Sequence, residues 1–389
     1  MTIGIDARSV CYPQRGMPTY VFELCIHLLE RYPLQQFVLF INTHDEVNES
    51  PCSYNQRTAR LRQFSNVRIV DISINYQFVF EQLALPFYSL KYKLSLLHMT
   101  CNRIVFFCPT RQIATIHDVK EYTAVRQGAL WPPPRTSLKY RFYCFRKRMY
   151  IKNTYKRLES CAAALITVSN FSCSQIRRVL GYSRPVSVIY HGLSSSFCSA
   201  AAKAVPLEER KYVLMLGGES EAKNNHRTLE CYVSLPSEIR SRFPLKVVGF
   251  ANTGSRFSRE LQNTATSSAN VSIEGWVSDT QLVSLFQYAR AFLFLSLSEG
   301  FGFPLIQAMS CGTPALHSDI AVFKEISTVA ELKVPPADNE IIINRLCTLL
   351  TNDSFWRQCA NAFCLDAHRF SWAVSAENHY QAYQQVLSQ

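Results

Sequence analysis

The feature that most constrains this chain is a regular alternation of short β-rich runs with longer helix-like stretches, which begins at the first residues and restarts near the middle. TIGIDA, FVLFIN, VRIVDI, SLLHM, QIATIHD, ALITVS and VSVIYHG read as strands; YVLMLGG at Tyr212, LKVVGF, VSIEGW and AFLFLS repeat the pattern. Between them lie stretches such as TYVFELCIHLLERY, in which Tyr20, Leu24 and Leu28, joined by Val21 and Cys25, fall on one helical face. Strands that alternate with helices form parallel sheets covered on both faces. The expected fold class is therefore α/β, with two doubly wound, Rossmann-like domains. Ligands of open α/β sheets sit beyond the carboxyl ends of the strands, so two such domains facing a cleft would bring their strand-end motifs together.

A chain of 389 residues is long for one compact unit, which agrees with two domains. The stretch SSSFCSAAAKAVPLEERK lacks periodicity and is rich in small residues. It places the first domain at 1–193, a linker at 194–210 and the second domain at 211–370. The net charge of +12 favours anionic partners, whether phosphates, nucleic acid or an anionic membrane face, against a merely soluble basic surface. Most of the fourteen cysteines are scattered singly, none forms a CxxC, and MTIGIDARSV runs straight into a strand. Reduced thiols in a cytoplasmic protein are expected. No apolar run approaches the roughly 18 residues of a membrane helix. DxD, HxH and HExxH are absent, so no metal site is expected, and the absence of GxSxG and GxxxxGK[ST] sets aside hydrolase-elbow and P-loop chemistry.

Several strand ends carry candidate chemistry. In SLSEGFGFPLIQ a strand gives way to Glu299, then to Gly300, Phe301 and Gly302, and Pro304 opens a helix. The amides of a helix start, with the helix dipole, suit an anion, and glycines let a ligand approach the main chain. A carboxylate beside an anion seat needs another purpose, such as sugar hydroxyls. Gln307, one turn into the helix, can both donate and accept; it is equally readable as an ordinary exposed helix residue. In LGGESEAKNNHRTLE, Lys223 follows Gly217 and Gly218 and is placed for a phosphate, or is a surface lysine with Asn224 as helix cap. His117 and Asp118 end the strand-like QIATIHD, where a histidine is either a satisfied core group or a ligand at the strand-end face. Gly16 lies in the same kind of strand-to-helix loop. Finally, residues 132–157 hold nine Lys or Arg and no acid, interleaved with Tyr140, Phe142, Tyr143, Phe145, Tyr150 and Tyr155. Such a helix suits an anionic membrane surface, an RNA, or burial of its aromatics in a core.

Taken in order, these strings resemble the retaining glycosyltransferases of family 4, the bacterial glycosyl transferases group 1, over nearly the whole chain. IGIDARSV with Gly16, FEQLALP, SLLHMTCN, ATIHDV, LITVSNFSCSQI, SVIYHGLSSSF, LGGESEAKNNHRTLE, VVGF, VSIEGWVSDTQLVSLFQYARAFLFLSLSEGFGFPLIQAMSCGTPALHSD and a closing FSW helix follow the family's sequence of motifs. The resemblance implies the GT-B fold, with an acceptor-side first domain, a nucleotide-sugar-binding second domain and a helix at 371–389 packing back toward the first. It implies sugar transfer from a UDP- or GDP-linked donor to an acceptor hydroxyl, with retention, without metal or other cofactor. The acceptor expected is a saccharide or lipid-linked saccharide of cell-surface polysaccharide or lipopolysaccharide assembly, on the inner face of the plasma membrane.

By the same resemblance Lys223 neutralises the donor diphosphate, with Gly16 and Gly218 in the adjoining loops. Phe301, Gly302 and Phe303 cradle sugar and phosphate, and Trp276 and Val277 meet the base. Glu299 and His117 contact the transferred sugar. Gln307 stands where the family has a second glutamate that holds the ribose, Ala222 where an arginine often precedes the lysine, and Pro18 where the first loop has a glycine. These departures leave an alternative open, a nucleotide-sugar-binding protein of the same fold that has lost catalysis.

Overall fold

The computed structural model describes residues 1–12, 16–43, 51–128, 137–200, 205–218, 220–250, 256–267 and 270–389. The chain forms two compact units, one of residues 1–192 with 372–389 and the other of residues 193–371.

The first unit is built on a parallel sheet of β1 (Thr2–Asp6), β2 (Gln36–Ile41), β3 (Val67–Asp71), β4 (Leu96–Met99), β5 (Arg111–Thr115), β6 (Ala164–Thr167) and β7 (Val186–Val188). Their spatial order is β3-β2-β1-β4-β5-β6-β7, with Ile5 of β1 opposite Leu39 on one side and His98 on the other. β4 and β6 are buried at every position, as strands covered on both faces must be. The chain turns back between β1 and β4, the switch point of a doubly wound sheet.

Helix Gly16–Arg31 shows why an amphipathic pattern understates burial. Its expected apolar face is buried, and so are Phe22, Glu23 and Ile26; the last helix, Trp372–Ser388, packs along it on the side of Tyr20, His27 and Arg31. Tyr32 stacks on Tyr380 with ring centroids 3.7 Å apart, and Arg31 Nη2 pairs with Glu377 Oε2 at 2.6 Å. Arg111, at the start of β5, donates to the carbonyl of Val386 at 2.9 Å. The chain's final turns are thus part of the first unit's core.

The second unit carries β8 (Tyr212–Leu216), β9 (Leu245–Val248), β10 (Val271–Glu274), β11 (Ala289–Phe294), β12 (Ala315–Ser318) and β13 (Lys333–Val334), in the order β10-β9-β8-β11-β12-β13 and parallel throughout. Its switch point lies between β8 and β11. β12 and β13 were not among the strands read from the sequence; they have four and two residues, and β12 places His317 and Ser318 in a buried row.

The stretch 194–210, expected as a linker, folds into the second unit where it is described; residues 201–204 lie outside the described residues. Helix Ser195–Ala200 buries Phe197 edge-on to Phe286, at 6.1 Å. Arg210 donates to the carbonyls of Ala289 and Cys311 and to Thr313 Oγ1 at 2.8–3.1 Å, over the Trp356 ring. Small residues here mark close packing, and a buried cation satisfied by carbonyls is a fixed anchor.

Candidate active site

The site forms where β8 and β11, neighbours at the second switch point, release their chains. Beyond β8, Gly218 has φ 147°, a conformation that favours glycine; Glu219 lies outside the described residues. A short turn, Glu221–Lys223, follows, and Asn224 adopts the left-handed region at φ 55°. Asn224 occupies the cap position of helix Asn225–Val233 but makes no side-chain capping bond; its Nδ2 donates to the Pro336 carbonyl at 3.1 Å. Asn225 Nδ2 ties the loop back to the Gly218 carbonyl at 2.6 Å. Beyond β11, the Leu297 amide donates to the Ala222 carbonyl at 2.8 Å, so the two strand-end loops are stitched together.

That stitching brings Lys223 and Glu299 into contact. Lys223 Nζ donates to Glu299 Oε1 at 2.7 Å and lies 5.2 Å from the centre of the Phe294 ring. The same carboxylate oxygen accepts from the buried Ser296 hydroxyl at 2.8 Å. The lysine side chain keeps 33% of its exposure and the glutamate 14%. A partly wet ion pair of this kind is weak enough to exchange partners, yet its two charges are already oriented.

Past Glu299, Gly302 at φ 120° opens helix Phe303–Ser310. A β-carbon on Gly302 would stand 2.8 Å from the Phe323 ring, so close packing and backbone conformation both require glycine there. Phe301 is buried edge-on to Phe303 and Phe370. The helix start offers fewer donors than its position suggests: Pro304 has no N–H, and the Leu305 amide bonds the Gly302 carbonyl at 2.9 Å. Gln307 is half-buried at the fifth helical position, its side chain tilted toward the helix start as helical side chains are. Trp276, 56% exposed, and Val277 follow β10, at the same edge of the sheet and two strands from β8, roughly 10 Å across.

His117 and Gly16 belong to the first unit. Gly16 begins helix Gly16–Arg31, and a β-carbon there would meet nothing within 4 Å, so packing does not demand glycine. His117 lies just past β5, buried, with Nε2 3.0 Å from the Thr100 carbonyl. A carbonyl only accepts, so Nε2 carries the proton and Nδ1 remains an acceptor. Burial lowers its pKa and keeps the ring neutral. It does not stand alone. Tyr20 packs edge-on to it at 4.9 Å, His191 lies 5.7 Å away, and the Tyr20 hydroxyl joins Thr115 and His379 at 2.8 and 3.0 Å. His98 links the Tyr383 hydroxyl to Thr115, at 2.8 Å each. The sequence reading found one histidine of four, because His98, His191 and His379 converge only through the sheet and the last helix. Ser296 was also missed, though its i, i+3 spacing to Glu299 is a recurrent side-chain pairing in turns and caps.

Among the described residues no group of three or more His, Cys, Asp or Glu could hold a metal ion, and no helix is long and apolar enough to cross a membrane.

Two parallel-sheet units of this kind match the GT-B fold, and residues 200–363 match the family model described as glycosyl transferases group 1. The chain is a glycosyltransferase whose second unit carries that family's domain. Among its relatives, the O-antigen chain mannosyltransferase B of Escherichia coli is 29% identical over 282 residues, 70% of each protein. The sucrose-phosphate synthase of Thermosynechococcus elongatus superposes with a TM-score of 0.72 at 17% identity, covering 100% of this chain and 99% of that one. The Anabaena protein Alr3699/HepE, solved in complex with UDP and glucose, superposes with a TM-score of 0.64 at 16% identity over 99% and 100%. At these identities the two structures speak for the fold.

Proposed function

We propose that the chain moves a mannosyl unit from a UDP- or GDP-linked donor to a hydroxyl of a saccharide acceptor, with retention and without a bound metal ion, in cell-surface polysaccharide or lipopolysaccharide assembly. The observation that carries this reading is the Lys223–Glu299 pair at the β8/β11 switch point, 2.7 Å apart and partly exposed. The relative's name supports the sugar and the setting; the complex of the Anabaena protein supports a nucleotide donor.

In this mechanism the donor diphosphate draws Lys223 away from Glu299. The lysine and the helix start at Phe303 then face the oxygen on which charge grows as the sugar C1–O bond breaks. Glu299, still held by Ser296, turns its second oxygen to the sugar hydroxyls. Gln307 serves the ribose and Trp276 and Val277 the base; in the first unit, the neutral His117 keeps Nδ1 as an acceptor for a hydroxyl. The acceptor oxygen bonds to C1 on the face the phosphate leaves, and its proton passes to the departing phosphate oxygen.

Membrane contact belongs to the same proposal. Residues 132–136 of the basic stretch lie outside the described residues; the rest forms helix Leu138–Lys156. Cys144, Ile151 and Tyr155 are buried, whereas Leu138, Phe142, Phe145 and Met149 are exposed. Their spacing of four, three and four puts them in one stripe on the opposite face. By the same geometry Arg141, Arg148 and Lys152 flank the stripe on one side and Lys139 and Arg146 on the other. An apolar stripe between cations fits the headgroup region of an anionic bilayer on the cytoplasmic face. Reversing the charge of Arg146, Lys147 and Arg148 should abolish cosedimentation with phosphatidylglycerol vesicles; unchanged sedimentation would remove the membrane from the account.

The transfer itself is tested with labelled GDP-mannose and UDP-glucose and a detergent-solubilised lipid-linked saccharide. The expected product keeps the donor's anomeric configuration, forms in EDTA and disappears in Glu299→Ala. Nucleotide sugar bound but never turned over would support the non-catalytic alternative.

A further inference from the structure

In the first unit the loop of residues 100–103, past β4, clasps the end of β5 and the chain beyond it. The Asn102 amide donates to the Thr115 carbonyl at 3.0 Å, and Asn102 Oδ1 accepts from the His117 amide at 2.7 Å. The Thr100 carbonyl accepts from His117 Nε2 at 3.0 Å. Arg103 makes a two-pronged pair with Glu121, in the first turn of helix Lys120–Arg126, at 2.7 and 3.1 Å. From another side Ser172 Oγ, on helix Asn170–Leu180, donates to the His117 carbonyl at 2.9 Å. The amide, the carbonyl and Nε2 of His117 are thus all bonded, and Nδ1 is left as its acceptor.

The residue that does most of this clasping is not an ordinary one for its place. Asn102 has φ 55°, in the left-handed region where Gly, Asn and Asp are at home. In that conformation its backbone N–H meets Thr115 while its side chain reaches the amide two residues further on. Glycine would suit the backbone but would offer no acceptor, so the fold of the loop does not by itself account for the side chain. Without it the amide of a buried residue would lose its partner.

The other half of the clasp has a rigid base. Thr100 Oγ1 donates to the Asp6 carbonyl at 2.6 Å, and Arg8 Nη2 pairs with Asp6 Oδ2 at 2.7 Å and Glu81 Oε1 at 2.6 Å, with all four residues buried. The Thr100 carbonyl is therefore a fixed mark. Whether the His117 ring meets it depends on where the His117 backbone sits, and Asn102 sets that. A neutral imidazole takes the tautomer that its fixed hydrogen bond selects, so the position of one amide decides which ring nitrogen is free to accept.

We propose that Asn102 is a positioning residue for sugar transfer: its Oδ1 holds the His117 backbone so that Nε2–H meets the Thr100 carbonyl and Nδ1 is kept unprotonated for a substrate hydroxyl. The proposal rests on the reading of the chain as a glycosyltransferase in which His117 Nδ1 accepts from such a hydroxyl.

The test uses the full chain with Asn102→Gly, which keeps the left-handed backbone and loses the acceptor, and Asn102→Asp, which keeps both. Transfer from GDP-mannose and UDP-glucose is measured at pH 8, above the ordinary histidine pKa of about 6.5, so that the added carboxylate does not charge the ring. Ring-nitrogen NMR, assigned with His117→Gln, reads the tautomer. Asn102→Gly should lower kcat about tenfold or more, with donor KM and stabilisation by nucleotide sugar unchanged, and should average the two His117 ring-nitrogen signals. Asn102→Asp should stay within about threefold of wild type and keep distinct signals. If Asn102→Gly does not fold, Asn102→Ser, whose hydroxyl ends one bond short of the Asn oxygen, should give the same result. A lowered Tm with wild-type kcat and wild-type ring signals would make the residue structural only and overturn the proposal; so would a loss in Asn102→Asp as large as in Asn102→Gly. A wild-type protein that transfers no sugar overturns the transferase reading, and the ring signals then still decide whether Asn102 sets the tautomer.

Discussion

The carboxyl ends of the two sheets are built from opposite materials. At the β8/β11 switch point the polar groups are ionised, partly exposed and paired with each other through one exchangeable contact, Lys223 to Glu299. At the end of the first sheet they are buried and neutral where histidines line the strands, and closed in a carboxylate–guanidinium network around Arg8. The difference teaches a division of labour. A partly exposed pair can exchange its partner for an arriving anion, whereas a buried and fully bonded network holds its sheet end fixed.

Three experiments break or sharpen that contrast. The largest effect should come from the exchangeable pair: Lys223→Ala and Glu299→Ala should each lower transfer by about 10²–10³-fold. They should separate in binding. Lys223→Ala leaves an unopposed carboxylate beside the diphosphate and should lose donor affinity, while Glu299→Ala should keep it. The double variant should then bind donor better than Lys223→Ala alone, a non-additivity that titration calorimetry of the four proteins reads directly. Additive losses would mean that the pair is not shared.

Acid should separate the units next. Burial lowers the pKa of His98, His117, His191 and His379 in the first unit, that of His379 to about 4. In the second unit burial takes His317 to about 4. A histidine kept neutral when folded binds its proton only on unfolding, so its contribution is whole above about pH 6.5 and is lost as pH falls toward 4. His379 alone would cost on the order of 3 kcal/mol by pH 4. Hydrogen exchange at pH 7, 5.5 and 4.5 should show the first unit opening before the second; equal loss in both would contradict the contrast. The smallest effect is expected from Ser296→Ala, which should reduce kcat by roughly tenfold or less with little change in donor KM, because Ser296 is the contact that still holds Glu299 once Lys223 has turned away.

Much of this was legible in the residues themselves. The strands through β11 are short runs rich in apolar and β-branched side chains set between helix-like stretches, and that alternation needs no partner information to be seen. β12 escaped because ALHS mixes polar and apolar side chains, and β13 because two residues carry no period. Lys223 and Glu299 could each be placed at a strand end. Their contact could not be read, since it depends on β8 and β11 being neighbours although β9 and β10 lie between them in the chain. His117 was visible as a motif, but its neutrality comes from burial, to which Tyr20 and His191, from two other stretches of the chain, contribute by packing against it.

The central claim is that the second unit's switch point answers to a nucleotide diphosphate sugar through Lys223. It is tested most directly by the melting temperature of wild-type and Lys223→Ala proteins with UDP-, GDP-, ADP- and TDP-sugars, since a ligand bound to the folded state stabilises it by mass action. The account predicts that at least one of these raises the wild-type Tm and fails to raise that of Lys223→Ala. No rise with any of them, or an equal rise in both proteins, would contradict it.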